Sequence, residues 1–157
     1  MFGFAKKKVV VIPPIDAPLL PLSSVSDEVF SSGMMGEGFA VQPVQGTGDA
    51  GVGDIVVPVS GTLVTVFKTG HAFAIKTPEG LEVLVHIGLD TVGMTGRGFV
   101  SHKSSGQDVV QGETVITVDF DAVRAAGCDP VTLVVFTNKK CVDHVESDAG
   151  KVTVFLN

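Results

Sequence analysis

The sequence predicts an all-β fold, an antiparallel β-sandwich with at most a few short helical turns. Three observations carry that expectation. Short runs rich in Val, Ile, Thr and Phe recur along the chain; 19 glycines and 8 prolines punctuate them; and helix signals are confined to two short segments. Runs at 8–12, 38–43, 54–57, 61–66, 72–76, 81–87, 114–118, 133–136 and 151–156 read as strands. Pro58 with Ser60-Gly61, and Pro78-Glu79-Gly80, read as turns, because proline presets φ and glycine takes positive φ without a Cβ penalty. Asp119 ahead of Phe120, and Gly127 behind Ala126, frame one or two helical turns. Ser26-Asp27-Glu28-Val29-Phe30 reads as another short turn. Residues 1–10 are expected to form a flexible N-terminal segment and 11–157 a single domain, since no linker-length tract or repeat divides the chain.

Composition narrows the class. The 157 residues are 45% hydrophobic and 18% charged, enough to build a core and unlike a disordered chain. No apolar run approaches the ~20 residues of a membrane helix. Lys6-Lys7-Lys8 leads into a few apolar residues and then Pro13-Pro14, which is not a secretory signal. A cytoplasmic protein is expected. The net charge of −6 argues against nucleic acid and suits a basic protein partner. Cys128 and Cys141 lack CxxC spacing and read as reduced thiols without a special role.

The informative segment runs Gly70-His71-Ala72-Phe73-Ala74-Ile75-Lys76, then the Pro78-Glu79-Gly80 turn, then Leu81-Glu82-Val83-Leu84-Val85-His86-Ile87-Gly88. It reads as a hairpin with a histidine towards the far end of each strand, and register decides whether the rings meet. Lys76 opposite Leu81 sets His71 directly across from His86; Pro78 opposite Leu81 makes them diagonal neighbours on one face. Thr77 opposite Leu81 sends them to opposite faces, yet aligns Lys76 with Glu82 and Phe73 with Val85. The pattern leaves the choice open. A neutral imidazole in apolar surroundings is a nucleophile near neutral pH, and a second imidazole or a hydroxyl such as Thr69 can orient it. Packing in the core and metal ligation are the competing uses of such a pair, although no third ligand is evident for a metal. No G-x-x-x-x-G-K-[ST] loop is present, so any phosphoryl chemistry does not draw on ATP through a P-loop.

The segment Gly80-Leu81-Glu82-Val83-Leu84-Val85-His86-Ile87-Gly88-Leu89-Asp90-Thr91-Val92 closely resembles the signature of the glucose-type enzyme IIA family of the phosphoenolpyruvate-dependent sugar phosphotransferase system. The resemblance continues, in the family's order, through Asp27-Glu28-Val29-Phe30, Met34-Met35-Gly36-Glu37-Gly38-Phe39, Pro58-Val59-Ser60-Gly61-Thr62, Thr69-Gly70-His71-Ala72-Phe73, Gly96-Arg97-Gly98-Phe99 and Val110-Gln111-Gly112-Glu113. It implies a β-sandwich in which His86 accepts a phosphoryl group on Nε2 from phospho-HPr and yields it to a cysteine of a sugar-specific IIB domain. It implies that His71 supports transfer, that Thr69 orients one ring, and that one of the same-face registers holds. No cofactor or metal is implied. Apolar residues around the histidines are expected to be exposed for docking: Phe30, Met34, Met35, Phe39, Phe67 and Leu84 are the candidates, with core packing the competing placement for several of them and equally weighted for Phe39 and Leu84. Asp90 is a candidate for steering basic HPr. Membrane contact is expected only through the permease complex. No IIB-type cysteine motif surrounds Cys128 or Cys141, so the next acceptor is expected on another chain.

Two other functions compete. A zinc-dependent hydrolase would use His71 and His86 as ligands, and a regulatory binding protein would have its phosphorylation state sensed by partners. A biotinyl or lipoyl carrier is disfavoured, because no lysine stands in a Met-Lys-Met-like or Asp-Lys-Ala-like hairpin.

Overall fold

The computed structural model describes residues 7–43, 51–148 and 150–157. Thirteen strands occur among them: β1 (Lys8–Val11), β2 (Leu19–Pro21), β3 (Glu37–Val41), β4 (Val52–Val56), β5 (Gly61–Val66), β6 (Ala72–Lys76), β7 (Glu82–Leu89), β8 (Phe99–Ser101), β9 (Asp108–Val109), β10 (Thr114–Asp119), β11 (Asp129–Phe136), β12 (Val142–Asp148) and β13 (Lys151–Leu156). Three 3-10 turns (Leu22–Ser24, Thr91–Met94 and Lys139–Cys141) and two short α-helices, α1 (Glu28–Ser31) and α2 (Phe120–Ala125), complete the regular structure among the described residues. Each helix starts where expected, because an aspartate caps it: Val29 N–H donates to Asp27 at 2.9 Å and Ala122 N–H to Asp119 at 3.1 Å.

All strand pairs are antiparallel, in a seven-stranded sheet ordered β2-β3-β11-β7-β6-β5-β9 and two three-stranded sheets, β1-β13-β12 and β4-β10-β8. The mostly β, antiparallel architecture is the one the sequence predicts. Of the expected flexible segment 1–10, residues 1–6 lie outside the described residues, while Lys8 to Val10 pair with β13.

The large sheet has two faces and buries both. One supplies Phe73, Ile75, Val83, Val85, Ile87, Val134 and Phe136 to the main core, which Ile55, Ile116, Val118, Val152 and Val154 close from the smaller sheets. The other packs Ala40, Leu133 and Val135 beneath Leu22, Val25 and Phe30 in a second, smaller cluster. Strand alternation therefore sends odd-numbered β7 residues from Val83 to Ile87 into the main core, and Leu84 and His86 to the opposite side.

The β6–β7 register follows the same logic. Lys76 pairs with Glu82, Ile75 with Val83, Phe73 with Val85 and Ala72 with His86, so the turn closes with Thr77 opposite Leu81. This corrects the register that the family resemblance implied. The core decides it, because a shift by one residue would turn Phe73 and Ile75 away from the interior.

Candidate active site

The histidine rings meet despite that register, and the reason is local. His71 precedes β6, at a bend after the turn Phe67–Gly70, in which Gly70 N–H donates to the Phe67 carbonyl at 2.8 Å and Gly70 has φ +73°. Its backbone carbonyl still accepts from Ile87 N–H at 2.7 Å, so the chain remains tied to β7. Its side chain, freed from strand alternation, reaches the His86 side of the sheet. The two imidazole centroids lie 5.2 Å apart, with planes at 79°.

Each ring has its own support. His86 Nδ1–H donates to the Gly88 carbonyl at 2.8 Å. A carbonyl only accepts, so in the neutral ring Nδ1 carries the proton and Nε2 holds the free lone pair. Gly88 adopts φ +77°, which aims its carbonyl back at the ring, and β7 and β11 lose regular register at this point. Thr91, fully buried, donates its hydroxyl to the Ile87 carbonyl at 2.5 Å and steadies the same corner. On the other side, Thr69 Oγ1 and His71 Nδ1 share a hydrogen bond. Phe67 packs edge-on against His71 and Phe30 lies tilted against His86, each with centroids 5.2 Å from the histidine ring.

Burial lowers the pKa of both histidines. For His71 the nearby His86 adds to this, since two positive rings repel. For His86 the Gly88 hydrogen bond and the carboxylates of Asp27 and Asp90 pull in the opposite direction without cancelling burial. The pair is thus set to be neutral near neutral pH while lying in a field that tolerates positive charge on His86.

The expected docking residues separate into groups. Met34 is 69% exposed and Phe67 42% exposed, and Asp90 is exposed on a left-handed backbone at the head of a 3-10 turn. Met35 and Leu84 are half-buried against the second cluster. Phe30 is only 8% exposed, since its ring lies against His86 and that cluster. Phe39, a docking candidate for which core and rim stood level, takes the core placement: it is 4% exposed inside the main core. Val29 and Val92 are exposed apolar residues outside the expected set. Asp27 and Gly88 were not singled out as site residues. The capping pattern could have found Asp27, whereas the acceptor role of Gly88 belongs to a backbone carbonyl, which every residue type carries. Among the described residues, no group of three or more His, Cys, Asp or Glu side chains could hold a metal ion. A zinc site on His71 and His86 would thus need its remaining ligands from elsewhere.

Residues 9–142 match the family described as phosphoenolpyruvate-dependent sugar phosphotransferase system, EIIA 1. The chain belongs to that family. Its sequence is 49% identical over 131 residues to the glucose-specific EIICBA component of Streptococcus pneumoniae, covering 83% of this chain and 17% of that protein. It is 42% identical over 135 residues to the glucose-specific EIIA component of Mycoplasma capricolum, covering 86% of this chain and 83% of the relative. The solved structure of glucose permease IIA from Mycoplasma capricolum superposes with a TM-score of 0.82 at 38% identity, over the full length of both chains. The chain spans only about a fifth or less of the fused relatives, 17% of the Streptococcus component and 20% of the beta-glucoside-specific EIIBCA component of Bacillus subtilis. No helix among the described residues is long and apolar enough to cross a membrane.

Proposed function

We propose that this EIIA family member is a phosphohistidine relay protein in sugar uptake. His86 takes a phosphoryl group from phospho-HPr and passes it to a cysteine of a sugar-specific IIB domain. The observation that carries the reading is the Nδ1–H bond from His86 to the Gly88 carbonyl, which leaves Nε2 as a nucleophile beside a second imidazole. Relatives named as EIICBA and EIIBCA components join the EIIA portion to B and C portions, which supports a IIB partner.

The chemistry follows from charge. As the His86 Nε2 lone pair forms a bond to phosphorus, the bond from phosphorus to the donor nitrogen breaks, and the donor imidazole leaves with that electron pair. His86, still carrying its Nδ1 proton, becomes positive. The Gly88 carbonyl and the carboxylates of Asp27 and Asp90 stabilise that charge where it develops. Thr69 supports His71 by donating its hydroxyl to Nδ1, which places the ring proton on Nε2 for a hydrogen bond to a phosphoryl oxygen. In the second step a IIB thiolate attacks phosphorus, the N–P bond breaks, and His86 returns to neutral. The surrounding Phe30 and Phe67 rings keep water from the labile N–P bond. The protein supplies positioning and electrostatics, and the route needs no cofactor.

Incubation with phosphoenolpyruvate, enzyme I and HPr, followed by intact mass, tests the reading. One acid-labile phosphoryl group is expected on the wild type and none on His86→Ala. His71→Ala is expected to accept the group and pass it on poorly. A folded wild type that gains no mass from active phospho-HPr refutes the relay.

A further inference from the structure

The carbonyl that holds His86 lies where a ladder hydrogen bond is missing. Even-numbered residues of β7 turn their backbone polar groups towards β11, and odd-numbered ones towards β6. Thr137 N–H thus donates to the Glu82 carbonyl at 3.0 Å, whereas Ile87 N–H donates to the His71 carbonyl at 2.7 Å. β11 sets Phe136 opposite Val83, Leu133 opposite His86 and Thr132 opposite Ile87. Continued by one step, that register would set Val131 opposite Gly88 as a pair exchanging two hydrogen bonds, with Val131 N–H donating to the Gly88 carbonyl. That pair does not form. The register shifts between Asp129 and Thr132, and pairing resumes with Asp129 opposite Leu89, so Pro130 and Val131 together face Gly88 as a β-bulge.

Neither bulge residue offers the Gly88 carbonyl a donor. Pro130 has no N–H. Val131 N–H is taken by the side chain of Asp129, whose Oδ1 accepts it at 2.9 Å across two residues. The Gly88 carbonyl is released from the sheet and, at φ +77°, turns to His86 Nδ1–H. We propose that Asp129 is a positioning residue for phosphoryl transfer: by capturing the Val131 N–H it keeps the competing donor from the Gly88 carbonyl, and so holds the His86 proton on Nδ1 and the lone pair on Nε2. Its part in transfer rests on the relay reading, whereas its control of the tautomer does not. Asp129 acts through the Gly88 backbone and not on the reacting atoms. The role requires a short side-chain acceptor and not a charge. A serine hydroxyl oxygen can accept the same N–H two residues on, while glutamate keeps the charge but carries it one methylene farther out. Asp129 is exposed at the start of β11, so these replacements leave the core strands in place.

Asp129→Ala, Asp129→Glu and Asp129→Ser are compared with wild type by nitrogen NMR of the His86 ring and by steady-state transfer from phospho-HPr, with urea melts to establish folding. Wild type and Asp129→Ser are expected to hold His86 as the Nδ1–H tautomer. Asp129→Ala and Asp129→Glu should mix in the Nε2–H tautomer and lose about tenfold in kcat, with KM within about twofold and Asp129→Ser within about threefold of wild type throughout. A single Nδ1–H tautomer in both Asp129→Ala and Asp129→Glu overturns the proposal. So does a wild-type Asp129→Glu beside an impaired Asp129→Ser, which would assign the effect to charge. Loss of kcat with an unchanged tautomer overturns it as well. If Asp129→Ala does not fold, the Glu and Ser variants decide the matter; if none of the three folds, Asp129 holds the sheet together and the proposal fails. Failure of the wild type to accept phosphoryl refutes the relay reading instead, and the tautomer comparison still stands, so the two failures are distinguishable.

Discussion

Replacing Gly88 with alanine tests the link between backbone and nucleophile. Gly88 has φ +77°, so any L side chain there costs about 1–2 kcal/mol. An added Cβ would also meet Thr91 Cγ2 at 2.5 Å and the Asp129 carbonyl oxygen at 3.0 Å. Thr91 cannot yield freely, because it is fully buried and its hydroxyl donates to the Ile87 carbonyl. Breaking that bond costs about 1–3 kcal/mol. Gly88→Ala should therefore lose about 2–5 kcal/mol, which at a mid-range slope of about 2 kcal/mol/M moves the urea midpoint by about 1–2.5 M. The function should fall further than folding explains. Any shift of the Gly88 carbonyl weakens the bond to His86 Nδ1–H as the ring gains positive charge, where such bonds are worth about 1.5–3 kcal/mol. Phosphorylation by phospho-HPr, measured where the variant is fully folded, should slow by about 10- to 100-fold. A midpoint within about 0.3 M of wild type, together with a rate within twofold, would refute the reasoning.

Acid should destabilise the fold through the two histidines. Burial holds both below their ordinary value of 6.5, so below that pH the unfolded chain binds protons that the folded chain refuses. Stability should fall as pH drops through 6.5 and level off below the folded values, and urea melts of His71→Gln/His86→Gln should show a shallower loss. Exposed His144, raised by Asp143 and Glu146, acts with the opposite sign: its contribution is present below 6.5 and lost as pH rises through its folded value, which His144→Gln melts would register. Phe39→Ala should cost about 3–5 kcal/mol in stability, whereas Met34→Ala should change it by less than about 0.5 kcal/mol yet raise KM for a partner. Comparable melting temperatures for the two variants would contradict their placement. Thr69→Val should leave folding intact and slow transfer by about tenfold, with nitrogen NMR showing His71 no longer held in one tautomer; an unchanged rate would remove Thr69 from the site.

The strands that bury one side were legible. Gly61–Val66, Ala72–Lys76 and Lys151–Leu156 fall where alternation and turn residues predict them. Leu19–Pro21, Phe99–Ser101, Asp108–Val109 and Val142–Asp148 did not show in the sequence, and each has a physical reason. The first is three residues long and ends in proline, and the next two hold three and two residues. Val142–Asp148 is a sheet edge carrying Asp143, His144, Glu146 and Asp148, with mostly exposed positions, so no apolar alternation marks it. Phe39 stays ambiguous in the sequence for a related reason. Apolar residues near a site motif look alike in sequence whether they face partner or core, and only the pairing of Phe39 with Val134 shows which side it takes.

The histidine register teaches a sharper lesson. Hydrophobic alternation is compatible with Thr77 opposite Leu81 without selecting it; that pairing holds, yet the rings also meet. Both facts are compatible because alternation applies only inside a strand. His71 stands just before β6, behind a left-handed Gly70, and His86 stands just before the left-handed Gly88 that breaks the β7–β11 register. A Cβ on Gly70 would meet Phe99 Cβ at 2.9 Å, so that glycine is required by a close approach as well as by its φ. The core therefore dictates register through Phe73, Ile75, Val83 and Val85, while the two glycines release the site from it. A substitution at Gly70 should then separate the rings without moving the core strands. Gly70→Ala is expected to keep the amide exchange protection of β6 and β7 while losing phosphoryl transfer to the IIB domain. Loss of that protection together with activity would mean that the turn and the hairpin form one unit, and that the site is not locally released.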